Sequence, residues 1–259
     1  MGTAVCLPFR GLIGGPIAAL ALTLPALALA WCEPPRALQR VAADDFRAGL
    51  ARWRLEAEDV RAVVTATGGV LDIATPAGLT LWWREPLSGD YAVRFTAVAL
   101  PAPPGAGALA GRLSDLNMFW NATDTDGQPP RERSGRFADY DSLQAYYVGF
   151  GANGNTTTRL RLYGDGRREL LAGLAEGTAA EPGEAPITPQ ARLHLARPMT
   201  VEIVSRAPTA DDPVHLRWQL DGQPLFTRAD PAPRLRGHFA LRTTASRLQI
   251  RDFEVLQCR

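Results

Sequence analysis

The chain has 259 residues with 28 basic and 27 acidic side chains, a net charge of +1 that offers no electrostatic handle for nucleic acid or an anionic membrane. Every basic residue is arginine. The absence of lysine excludes Schiff-base and lysine general-base chemistry, and leaves Arg as the side chain suited to holding carboxylates in bidentate fashion.

Residues 1–30 read as a secretory signal. Arg10 precedes an apolar run from Gly11 to Leu27, and Ala28-Leu29-Ala30 supplies small residues at a cleavage site. The rival reading, a retained membrane anchor, is weakened by Gly14, Gly15, Pro16 and Pro25, which cut the apolar length below the roughly 20 residues of a spanning helix. Trp31 before Cys32 argues against lipid attachment, which wants a small residue there. Cleavage after Ala30 removes Cys6 and leaves Cys32 and Cys258 at the two ends, where they are expected to form a disulfide in an exported, periplasmic or extracellular protein. Residues 31–259 suit a single domain.

Asp44 to Leu50 is the one short helix candidate. Thereafter period-two alternation recurs between Gly, Pro and Asp clusters, at Val70–Ile73, Tyr91–Val98, Leu143–Phe150, Thr156–Tyr163 and Val201–Ile203, with a more continuous apolar run at Leu79–Trp83. Leu216, Trp218 and Leu220 lead into Asp221-Gly222, a hairpin signal, and Phe239, Leu241, Leu248, Ile250, Phe253 and Val255 follow. Trp218, Phe239, Leu241, Ile250 and Phe253 are the expected core. Ten to thirteen short strands predict an all-β, antiparallel jelly-roll β-sandwich. The segments Pro101–Gly111, Asp124–Arg136 and Ala175–Gln190 read as loops inserted between strands.

Several segments carry a family resemblance. Asp44-Asp45-Phe46 at the start, and Gly237-His238-Phe239 through Phe253-Glu254-Val255 at the end, look like the two ends of concanavalin-A-like lectin/glucanase jelly rolls. Ser114 to Trp120, Phe137 to Asp141, Tyr146 to Gly151 and Asn153 to Arg159 resemble a secreted bacterial family of unknown function in that superfamily. Its relatives are associated with polysaccharide utilisation, including rhamnogalacturonan. The resemblance implies a concanavalin-A-like fold and a polysaccharide or oligosaccharide partner. No nucleic acid is expected from the near-neutral charge, and no membrane insertion once the signal is cleaved, since no other stretch is long and apolar enough to span a bilayer.

The densest polar stretch runs from Asp115 to Tyr163. On a strand over Leu116–Trp120, Asp115, Asn117, Phe119 and Asn121 share one face, suited to sugar hydroxyls and a ring face, or to plain solvent. Arg159, Arg161 and Tyr163 share another face and read as a cradle for a uronate carboxylate, or as solvated charges. Tyr146 and Tyr147 point to opposite faces, and the sequence does not say which one meets the cleft. Asn153 and Asn155 sit in a Gly/Asn turn, and Arg242 lies on a late strand that could form the concave sheet. His215 is expected to be exposed.

These residues support three readings. A lyase acting by β-elimination on an acidic polysaccharide would use Asp115, Tyr146, Tyr147 and Arg159 in catalysis and Asn117, Asn121, Asn153, Asn155, Arg161 and Arg242 in binding. A glycoside hydrolase would use two of Asp115, Asp139 and Asp141. A non-catalytic sugar-binding module is the third. Cofactor expectations are either none or a structural calcium. Relatives in the superfamily often hold that ion at the terminal strands, here at Asp44, Asp45 and Asp252, although no ligand spacing accompanies these three.

Overall fold

The alternating segments become fifteen strands in a computed structural model, which describes residues 1–2, 31–33, 36–102, 107 and 111–259. The segment read as a secretory signal lies outside the described residues apart from Met1 and Gly2, and so does Cys6. The strands are β1 (Leu38–Asp44), β2 (Trp53–Ala57), β3 (Val63–Thr67), β4 (Val70–Trp83), β5 (Leu87–Ser88), β6 (Tyr91–Leu100), β7 (Leu116–Asp124) and β8 (Leu143–Gly151). There follow β9 (Thr157–Gly164), β10 (Arg167–Ala175), β11 (Ala185–Pro186), β12 (Pro198–Ser205), β13 (Leu216–Leu220), β14 (Gln223–Arg228) and β15 (Arg236–Cys258).

They form one hydrogen-bonded sheet that curls on itself into a jelly-roll sandwich, in the order β11-β10-β9-β8-β7-β15-β6-β12-β13-β14. β15 makes the curl possible. Its first part pairs with β7 and its later part with β6, while β4 runs along its other edge. Register shifts fall between Thr244 and Ser246 against β4 and between Arg251 and Glu254 against β6, and Ala245 and Asp252 take left-handed backbone there. Extra residues of this kind bend and twist a strand, which carries β15 from one layer to the other.

Between the layers lies the expected core. Trp218, Phe239, Leu241, Ile250 and Phe253 are all buried. Trp218 reaches across to β7 and β8, donating its indole N–H to Met118 Sδ at 3.1 Å with its ring 5.3 Å from Phe150. The Asp221-Gly222 turn joins β13 to β14 with both residues at positive φ, as a two-residue hairpin connection requires.

The helix expected over Asp44–Leu50 is not formed. Asp44 ends β1, and its carboxylate accepts the Phe46 N–H and the Trp53 indole N–H, each at 2.8 Å. That turn puts Phe46 at φ 55° and buries its ring 6.2 Å from Trp53. The tertiary contact with Trp53 outweighs a short helix that would have little stability alone.

β1 pairs with the end of β15, from Leu38 opposite Cys258 to Asp44 opposite Phe253. The pairing brings Cys32 and Cys258 together as a disulfide with Cα atoms 5.5 Å apart across a sequence separation of 226. Trp31 is buried beside it with Ala92, Val204 and Leu256. Phe253 touches Trp53, Trp83 and Phe239 at centroid distances of 4.9, 4.8 and 5.7 Å. Phe253→Ala should therefore cost about 3–5 kcal/mol in a urea titration. A wild-type midpoint would show that this ring is not part of the core.

Candidate functional site

Strand register builds the site. Asn117 on β7 stands opposite Gly149 on β8, which stands opposite Arg159 on β9. One step along the same face, Phe119, Tyr147 and Arg161 form a second row. Gly149 contributes no side chain between its neighbours, and the first row becomes the floor of a cavity of about 470 Å3. Arg112, Asn153, Tyr163 and Arg168 complete its walls, with Phe137 at its edge.

Three buried polar atoms in this lining have no partner among the described residues: Arg112 Nε, Asn117 Oδ1 and the Tyr163 hydroxyl. Asn117 is only 3% exposed and donates its Nδ2 to Asp115 Oδ1 at 3.4 Å, so a flipped amide would set two acceptors against each other. A buried acceptor without a donor is costly, and its burial makes sense when a ligand supplies the donor. Asp115, at φ 67°, is the only carboxylate in the lining among the described residues and pairs with Arg112. Burial raises its pKa above the ordinary aspartate value, and the Arg112 charge opposes that shift. Burial pushes the Tyr147 phenol well above 10, and the Tyr163 phenol also rises, so both stay protonated.

The arginines are held by carboxylates from distant segments. The acidic loop before and within β11 folds back so that Glu184 accepts from Arg159 Nε at 2.7 Å and Nη2 at 2.9 Å, while Glu181 accepts from Arg161 Nη2 at 2.5 Å. Arg168 pairs with Asp141 and lies 4.1 Å from the Phe137 ring centroid. Paired with those acids, the guanidinium groups are held in fixed planes around the cavity at little net charge.

A family model, "Domain of unknown function (DUF6250)", matches residues 73–253, a span that includes every lining residue. The chain belongs to the DUF6250 family. No curated protein matches it. Among solved structures, a Bacillus subtilis protein of unknown function with a galectin-like fold aligns at 15% identity with a TM-score of 0.62, covering 86% of this chain and 99% of that one. The carbohydrate recognition domain of Emp46p in its potassium-bound form aligns at 11% identity with a TM-score of 0.51, covering 82% and 91%. Its metal-free form gives the same identity and TM-score, covering 82% and 90%. At these identities the likeness establishes the fold.

In this DUF6250 chain the structure gathers Asp115, Asn117, Tyr147, Asn153, Arg159 and Arg161 into one cavity, and leaves other sequence candidates outside it. Tyr146 faces the core, stacked 5.7 Å from Trp120, and Tyr147 is the member of the pair that meets the cavity. Asn121 takes positive φ at a register shift in β7 and turns away, binding the Tyr91 hydroxyl at 2.6 Å and Ser205 at 2.9 Å. Asn155 clamps the Leu193 backbone through both amide atoms. Arg242 is buried beneath the segment that follows β7. It donates to Gly135 O and Thr80 Oγ1, with the Phe137 and Tyr140 rings 4.9 and 4.7 Å from its guanidinium carbon.

Phe119 is fully covered by Tyr140 and offers no platform to a ligand. Asp139 accepts from Ser134 outside the cavity, and Asp141 is engaged by Arg168, so neither joins Asp115 as a second cavity carboxylate. His215 is buried rather than exposed. Its ring contacts the Tyr146 hydroxyl at 3.0 Å and accepts the Asp230 N–H at 3.1 Å, and burial lowers its pKa.

The structure brings Asp44, Asp45 and Asp252, the expected calcium ligands, to the border of one cavity of about 430 Å3. The Asp44 carboxylate already accepts two N–H groups, Asp45 is exposed beside Arg47, and no group of three or more His, Cys, Asp or Glu side chains suited to a metal occurs among the described residues.

Sequence reading missed Arg112, Gly149 and Arg168 and did not single out Tyr163 as a site residue. Tyr163 shares the alternation of Arg159 and Arg161. Arg168 stands opposite Tyr163 across the Asp165-Gly166 turn, so hairpin pairing was the available signal. Arg112 carries no such signal, because it lies three residues before Asp115 in a segment without periodic alternation.

Glu184 is held below its ordinary value of 4.5 by the Arg159 side chain. A lowered carboxylate stabilises the fold above that value and loses the contribution as pH falls through and below it. Arg159→Ala should destabilise the protein by about 2–3 kcal/mol near neutral pH, because it strands Glu184, and should flatten the dependence of the urea midpoint on pH below 4.5. An unchanged midpoint at both pH values would show that the ion pair is not structural.

Proposed function

We propose that this DUF6250 chain is an exported protein that binds an acidic, uronate-containing polysaccharide or oligosaccharide in the cavity built on Asn117, Gly149 and Arg159. The observation that carries this reading is a buried acceptor, Asn117 Oδ1, and a buried donor, Arg112 Nε, both without a partner in one cavity lining. A ligand that satisfies both must donate a hydrogen bond and present an anionic or acceptor group. A uronate does so with its hydroxyls and carboxylate, whereas a bare anion supplies no donor. The Tyr163 hydroxyl and Asn153 are placed for further hydroxyls. The carbohydrate recognition domain among the fold neighbours supports the same class of ligand. Export is supported by the terminal disulfide and by the signal-like first thirty residues. No helix among the described residues is long and apolar enough to cross a membrane.

A second reading, β-elimination, is favoured by one specific observation: the raised pKa of buried Asp115 next to Asn117 and Arg112. As general base, Asp115 would take the proton α to the uronate carboxylate while a guanidinium neutralises that carboxylate. The C–H electrons form the C4–C5 double bond, the C4–O bond breaks, and Tyr147 or Tyr163, kept protonated by burial, gives its proton to the leaving oxygen. Hydrolysis by paired aspartates is not favoured, since a single carboxylate lines the cavity among the described residues.

Purified protein should be tested against polygalacturonate, alginate, hyaluronate and glucuronan, measuring retention, new reducing ends and the ultraviolet absorbance of unsaturated uronates together. Retention alone means binding, and absorbance with new ends means elimination. No retention and no turnover on any of the four overturns the acidic-saccharide reading. Asn117→Ala should weaken binding about tenfold or more, the value of one well-placed hydrogen bond to a buried group. Its melting temperature should stay near wild type, because Asn117 Oδ1 has no protein partner to lose and the one bond lost, Nδ2 to Asp115 Oδ1, is long at 3.4 Å. Undiminished affinity would remove Asn117 from the site.

A further inference from the structure

The concave face does not stop at the cavity. Trp82 on β4 pairs with Ala240 on β15, which pairs with Phe119 on β7, so the row containing Tyr147 extends to Trp82. Ring centroids are 4.8 Å apart from Tyr147 to Phe119 and 6.0 Å from Phe119 to Trp82, making a continuous aromatic floor. At its far end a second cavity of about 330 Å3 opens, bordered by Trp82, Pro129 and Pro130. Between the two cavities the chain from Asp124 to Ser142 crosses the groove. It sets Tyr140 on Phe119, stacked at 5.6 Å, and puts Phe137 at the edge of the first cavity.

The crossing is pinned along its length. Glu56, buried at the end of β2, accepts the Tyr140 hydroxyl at 2.6 Å and the Arg133 N–H at 3.1 Å, and also takes the Trp82 indole N–H at 3.0 Å. Arg54 donates to Pro130 O at 2.8 Å, and Arg242 donates to Gly135 O at 3.0 Å. Gly135 has φ 92°, and a Cβ there would lie 2.5 Å from the Glu58 nitrogen, so the backbone is seated directly against β2. Buried bonds to a shared carboxylate, with close backbone seating, describe a fixed barrier rather than a loosely held flap.

We propose that this crossing makes the site selective for the end of a saccharide chain, with Tyr140 occupying the place on Phe119 where a further sugar ring would stack. The inference rests on the saccharide reading of the cavity and adds which part of the chain enters it. Phe137 and Tyr140 block the groove on one side, and the Asn153 turn and the Glu184-anchored Arg159 wall the other. The interior of a polymer therefore has no path through, while a terminal residue can be lowered in.

The test is stoichiometry by isothermal titration, using size-fractionated oligomers of whichever of the four panel polymers the protein retains. End recognition gives one protein per chain at every length. Internal recognition gives a number that rises in proportion to length, and that result in the wild type overturns the proposal. The double variant Phe137→Ala/Tyr140→Ala opens the barrier and should convert length-independent stoichiometry into length-dependent stoichiometry. An unchanged value of one in a folded double variant would show that the crossing does not set it, and would also overturn the proposal. Should the variant fail to fold, the wild-type length series decides alone. Absence of binding to all four polymers would defeat the saccharide reading itself, a result distinct from binding that scales with length, and the inference would fall with it.

Discussion

The structure depends on β15. This strand of 23 residues is hydrogen-bonded in turn to β7, β6 and β1, with β4 along much of its other edge, so both layers of the sandwich are joined through it. Its two left-handed residues bend it between layers without breaking the ladder for long. Because it closes against β1, the same strand draws the chain ends together for the disulfide. Because Arg242 stands opposite Asn117, it also brings the barrier's anchor beside the cavity floor. Pairing between consecutive strands β7, β8 and β9 forms the site's rows, and the long-separation pairing of β15 with β7 fixes where they stand in the sandwich.

An all-arginine chain shapes the site's electrostatics. Guanidinium groups are planar and remain charged, and those around the cavity meet carboxylates from segments far off in sequence: Arg159 with Glu184, Arg161 with Glu181 and Arg168 with Asp141. Each pair limits the freedom of a long side chain and leaves its fork in a defined plane. The cavity is thereby preorganised without a large positive field. Glu56 plays the corresponding part on the other side of the barrier, where one buried carboxylate gathers Trp82, Arg133 and Tyr140.

The sandwich was legible in the sequence because alternation with period two reports burial directly. Trp218, Phe239, Leu241, Ile250 and Phe253 followed it, and Asp221-Gly222 marked its hairpin. Local pattern failed at three places, each time because a contact or register made only in the folded chain outweighed it. At Phe46 an aromatic contact with Trp53 replaced a helix. At Asn121 a shift in register turned an outward residue inward. At Phe119 an outward residue was covered by Tyr140 from a loop that carries no periodic signal.

By itself, then, the sequence determined the strand-rich architecture, the pairing of Cys32 with Cys258, and the stretch from Asp115 to Tyr163 as the region where polar chemistry collects. These follow from side-chain alternation, cysteine count and residue type, which are properties of neighbours along the chain. Tertiary structure decided which tyrosine of the Tyr146-Tyr147 pair meets the cavity, that Arg242 anchors a covering segment rather than lining the cavity, and that Arg112, Gly149 and Arg168 belong to the cavity. The reason is physical: a cavity forms where register aligns side chains from several strands and where loops happen to close over them. Those alignments are fixed by packing between residues far apart in the chain, as with Met118 and Trp218, a hundred positions apart.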